Sequence, residues 1–145
     1  MSNPNIDVLN DVTTTLIDSQ KGYKKVSEIA SDSYALRGKF MERETERNAL
    51  IAAFQQRVSD LGGEPTTSGG IGGAMHRAWT DFTTLFQKDE KAALEAVDDG
   101  EDHLADKIES KMKTEGLDTA TIELLGRALT SAREGERFAD LLTDH

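Results

Sequence analysis

From Leu9 onward, apolar residues recur at alternating three- and four-residue steps: Leu9, Val12, Leu16, Tyr23 and Val26, with Ser19 filling the gap and Ala30 ending the series. That spacing lays one stripe along a helix. Asn3-Pro4 supplies an N-cap and a first-turn proline ahead of it. Ser33 can cap a second helix, which runs to Leu61 and stops at Gly62-Gly63. The stripe of this helix reads Phe40, Arg43, Arg47, Leu50, Phe54, Val58, Leu61. Two permanent cations therefore stand where the period asks for core residues.

"EPTTSGGIGG" is the clearest loop. After it, Met75, Trp79, Phe82, Leu85 and Phe86 make an apolar face on a shorter helix. At about 16 residues such a helix spans about 24 Å, enough to carry the chain along most of a bundle. Asp89 caps the next helix, with Leu94, Val97, Leu104, Ile108 and Met112 inward and Glu101 on the same stripe; it stops near Gly116. Asp118 caps the last, where Leu117 and Ile122 are spaced as a hydrophobic staple. Its stripe continues through Leu125, Ala128, Leu129, Ala132, Phe138 and Leu142. Glycines at 22, 38, 126 and 135 fall inside helices, where close helix approach explains them. No period-two alternation marks a strand. The expected fold is all-α: one domain over residues 1–145, with four long helices in two antiparallel pairs and a shorter helix crossing between the pairs.

Composition narrows the function more than it identifies it. The net charge of −10 opposes phosphate backbones and anionic lipid, so neither nucleic acid nor a membrane surface is expected as partner. No apolar run is long enough to span a bilayer, and "MSNPNIDVLNDV" lacks the basic and apolar regions of a signal peptide. With no cysteine there is no disulfide, thiolate metal site or cysteine nucleophile. A cytoplasmic protein is the simplest expectation.

The order helix, short turn, helix ending "LGGEP" (61–65), crossover, helix, turn, helix resembles the ferritin-like superfamily, and the combination of "LGGEP" with "GGAMHRAWTDF" (72–82) and "DDGEDHL" (98–104) is closer to a narrower group. That group is an uncharacterised bacterial family of four-helix-bundle proteins described as a domain of unknown function. "DSQKGYKKVSEIA" (18–30) is similar to that family's first helix. The resemblance implies a ferritin-like four-helix bundle and a link to stress conditions. Di-iron members use a Glu from each of two helices and a Glu-x-x-His from each of the other two. Counted back from "LGG", the second-helix Glu and His of such enzymes would fall near Arg47 and Leu50. The histidines are His76, His103 and His145, preceded three residues earlier by Gly73, Gly100 and Leu142, so no Glu-x-x-His exists.

The expected core is therefore a polar network in place of metal: Arg43 and Arg47 facing Glu101, extended by Glu46 and Gln20. An isolated buried carboxylate is costly, and an arginine fork suits it. Against this stands snorkelling, in which both arginines lay methylenes on the core and keep their heads in water. The leading functional expectation is a non-enzymatic protein acting by association, with itself or with a protein partner, and carrying no cofactor. The alternative is a metal protein with a non-standard carboxylate set drawn from Glu42, Glu46, Glu101 and His103. "SGGIGG" has neither a P-loop lysine nor a preceding strand, and reads as a loop.

Overall fold

The structure is a computed structural model that describes residues 3–29, 34–70, 74–86 and 88–143. Ala30, the Ser33 cap and His145 lie outside the described residues, as do the side chains of Met75 and His76. Among the described residues the chain forms five helices and no strand: α1 (Pro4–Ile29), α2 (Tyr34–Asp60), α3 (Ala74–Leu85), α4 (Glu90–Met112) and α5 (Thr119–Thr143). None of them is long and apolar enough to cross a membrane.

Local chemistry sets the helix ends. The Asn3 side chain accepts from the Asn5 amide, Asp89 from Ala92, and Asp118 from Thr121, each satisfying an otherwise orphaned N–H. At the end of α2, Gly62 takes φ +83°. That left-handed turn lets the Gly63 amide reach Val58 at 2.9 Å and the Gly62 amide reach Ser59 at 3.0 Å, closing a Schellman motif.

Cross-helix bonds fix the directions. Asn10 bonds Glu64 and Gln20 bonds Glu44, so α1 and α2 are antiparallel. Lys107 meets Thr15 and Lys111 meets Asp11, which turns α4 antiparallel to α1. Arg57 meets Asp118 while Arg47 meets Ser131, so α5 runs against α2. Hence α2 and α4 run in the same direction, on opposite sides of the core and without close backbone approach. A connection between them must travel the length of the molecule.

That connection differs from the expected single helix. α3 has 12 residues, about 18 Å. The preceding loop covers the remaining distance by lying along α1. The Thr66 amide bonds Asn10 and the Gly70 amide bonds Asp18, so the loop advances two helical turns up α1 before α3 begins.

The stripes bury as their periods require. Leu9, Val12, Leu16, Ser19, Tyr23 and Val26 of α1 are buried, as are Phe40, Arg47, Leu50, Phe54 and Val58 of α2. Trp79 and Phe82 join them from α3, and Leu94, Val97, Glu101, Leu104 and Ile108 from α4. α5 keeps the expected stripe at Leu125, Ala128 and Ala132, with Leu129 and Phe138 packed beside them, and departs from it at its end. Leu142 is exposed, and the inner seam runs through Leu125, Ala128, Ser131, Ala132, Gly135 and Ala139. The glycines divide likewise. A Cβ on Gly22 would collide with the Trp79 ring, and one on Gly135 with the Glu101 carboxylate, whereas Gly38 and Gly126 face open space. Close approach explains the first two and not the second two.

Candidate functional site

Position 47 faces inward because it sits on the α2 stripe, seven residues before Phe54 and seven after Phe40, both wholly buried. Arg47 is itself fully buried, and so is Glu101, seven residues after Leu94 on α4. The two meet across the middle of the core as a fork. Arg47 Nη1 donates to Glu101 Oε1 at 2.9 Å, and Nη2 donates to Oε2. The other three N–H groups of the guanidinium also have acceptors. Nε donates to Ser131 Oγ at 3.0 Å, Nη1 to Ser19 Oγ, and Nη2 to the Ser131 carbonyl at 3.2 Å. All five donors of a buried arginine are thus used. Burial alone would favour losing the proton, but the Glu101 carboxylate outweighs it, and the Arg47 pKa is raised.

Tyr23 completes the surround, with Arg47 over its ring at 5.6 Å from the centroid. Burial, and next the Glu101 charge, push the Tyr23 phenol well above its ordinary pKa, so it stays neutral. Arg43, one turn before Arg47, forms the outer layer. It donates to the Ser131 carbonyl and lies 3.8 Å from both Glu46 and Glu101 and 3.9 Å from Glu134. Ser131 Oγ passes the network outward by donating to Glu46. A groove of about 300 Å³ between α2 and α5 ends on this layer, lined by Glu46, Leu50, Arg127, Ser131 and Glu134.

The structure therefore brings together Arg43, Arg47, Glu101 and Glu46. Gln20 is a correction: its amide donates to Glu44, outside the network. One residue along a helix rotates a side chain by about 100°, and it is Ser19, on the stripe, that reaches Arg47. Ser19 and Ser131 were readable in the sequence as small residues, but their acceptor role was not. Arg133 was missed altogether. It lies between α4 and α5 within reach of Asp102, Asp106, Glu109 and Glu136 and clamps the two helices.

The alternative metal set does not converge. Glu42 is exposed and pairs with Lys39 at 3.6 Å; His103 is exposed on α4; Glu101 is held by Arg47. Among the described residues no three His, Asp or Glu side chains stand together as a metal group. A di-iron pair does not fit the residues present at the core. Its central carboxylate is already bonded to a guanidinium, Leu50 has no donor atom, and a fixed cation repels a second one by about 4 kcal/mol at 4 Å even at an effective dielectric near 20.

The chain belongs to the family described as a domain of unknown function, DUF2383, whose family model matches residues 5–114. The match takes in α1 to α4, and with them Ser19, Arg43, Arg47 and Glu101; α5, with Ser131, lies beyond it. No curated protein matches the chain.

Proposed function

We propose that residues 1–145 form a single ferritin-like four-helix bundle in which an arginine–glutamate network stands in place of the di-iron centre, and that the protein is a non-enzymatic one acting by association. The up-down-down-up order of α1, α2, α4 and α5, with its long crossover, supports the ferritin-like reading. One observation carries the rest: every donor of Arg47 is committed to Glu101, Ser19 and Ser131 inside the core. Such a centre holds helix register and ties both oxygens of the fully buried Glu101 carboxylate to a guanidinium. Association, with a second copy or a protein partner, is favoured by apolar side chains left in water, Leu141 at 60% and Met41 at 46% exposure. A bacterial setting under stress follows from the resemblance alone, and a cytoplasmic one from the composition and the absence of a signal-peptide pattern.

Aerobic addition of Fe(II) tests the centre. Ultraviolet absorbance should grow no faster than in the protein-free control, and recovered protein should hold no stoichiometric iron. Oxidation saturating at two Fe per chain and lost in Glu101→Ala would overturn the reading. Sedimentation across a concentration series tests the association: a monomer at all concentrations that captures no partner counts against it.

A further inference from the structure

A second cavity, of about 420 Å³, lies away from the ion-paired core, between α1, α3 and the loop that climbs α1. It is lined by Asp18, Lys21, Gly22, Lys25, Gly70, Trp79, Thr80 and Thr83, and its size is that of pockets for small organic ligands. Three features of its wall are unusual together. The Trp79 indole packs directly on Gly22, where any Cβ would strike its five-membered ring. Its indole N–H is buried and has no acceptor. A buried donor without a partner is costly, and such a group marks a place where an acceptor belongs.

Lys21 and Lys25 stand one helical turn apart at the rim, both exposed and, among the described residues, neither in an ion pair. In a chain of net charge −10, two unpaired cations on one side of a cavity make a local landing place for an anion. Asp18 in the same wall accepts the Gly70 amide at 3.1 Å, pins the loop and keeps its negative charge, so the wall carries two cations against one anion. Tyr23 and Phe82 meet Trp79 edge-on at 4.7 and 6.4 Å between centroids and hold the indole in place.

We propose that this cavity binds a small aromatic carboxylate or phosphate, its anionic group between Lys21 and Lys25 and its ring against Trp79. The pocket shares no lining residue with the arginine–glutamate network of the core. The chain has one tryptophan, so Trp79 reports on the site by itself. The experiment follows its emission and its single indole N–H resonance in the full chain during titration with phenylacetate, phenyl phosphate, benzyl alcohol and inorganic phosphate. Either aromatic anion, or both, should shift the indole resonance saturably, while benzyl alcohol and inorganic phosphate bind far more weakly. Phenylacetate alone would mark a carboxylate site and phenyl phosphate alone a phosphate site. Lys21→Gln with Lys25→Gln, both surface changes that leave the fold intact, should weaken the anion about tenfold, as expected for two exposed ion pairs. Three results would each overturn the proposal: no saturable shift with either aromatic anion, benzyl alcohol binding equally well, or the double variant binding unchanged.

Discussion

Replacing Arg47 with methionine removes the cation and keeps an unbranched apolar stem on the α2 stripe. Glu101 is then wholly buried without the fork that holds it, and Ser19 and Ser131 lose the donors they accept from. Removing one partner of a buried pair typically costs about 3–5 kcal/mol, because the other charge is stranded. Arg43, with Nη2 already 3.8 Å from Glu101, compensates in part and moves the expectation toward the lower end. For a chain of this length the loss corresponds to a melting point lower by about 10–15 °C. Urea titration followed by far-ultraviolet circular dichroism measures it, with the slope checked for two-state behaviour.

The double variant Arg47→Met, Glu101→Leu separates charge from shape. With both partners apolar no charge is stranded, and about 2 kcal/mol or more of the single-variant loss should return, since apolar replacement of a whole buried pair is often neutral. A single variant costing less than about 1 kcal/mol would mean that Arg47 reaches water in solution. Losses that simply add in the double variant would mean that the two residues do not act on each other. Either result refutes the network as the centre of this fold.

The inward stripes of α1, α2 and α4 were readable because bulky apolar residues mark them, and a helix that buries one face must repeat every three to four positions. Arg47 and Glu101 were readable for the same reason in reverse: charges on those stripes stand out. On α5 only the end was misread: Leu125, Ala128 and Ala132 bury as expected, but Leu142 is exposed and the inner seam is made of small residues. Ser131, Gly135 and Ala139 carry little hydropathy, so Leu142 drew the end of the stripe toward itself, whereas Phe138 does pack on the core against Phe40. What decides that register is volume, since the core must admit the Arg47 head and Glu101, and Gly135 gives the carboxylate its space. The α1-hugging loop was not readable, because Asn10 and Asp18 have no local reason to face Thr66 and Gly70. The Arg133 clamp depends in the same way on which face of α4 meets α5.

Trp79→Ala removes a side chain packed on Tyr23 and Phe82 and should destabilise by about 3–5 kcal/mol; native emission already at the position of the unfolded chain would contradict its burial. Gly38→Ala, into open space, should raise stability by about 0.5–1 kcal/mol, and Gly135→Ala should lower it by about 1–3 kcal/mol; paired melting curves giving equal effects would remove the volume account of α5. The last expectation concerns pH. Asp98 on α4 lies against Asp140 on α5, with Glu136 and Asp99 beside them, and burial first, then the shared hydrogen bond to Asp140, pushes its pKa up to about 7. The folded state therefore keeps a proton that the unfolded chain has released by about pH 5. Where the native state binds more protons, stability falls as pH rises. The contribution of this pair is full below about pH 4 and is lost as pH passes through about 7, where two carboxylates face each other unprotonated. Asp98→Asn keeps a donor toward Asp140 and cannot ionise, so the variant should lose this slope and melt higher than the parent at pH 8, with little difference at pH 4.5. Parallel melting curves across that range, with the parent's downward slope intact in the variant, would show that the proton is not held between α4 and α5.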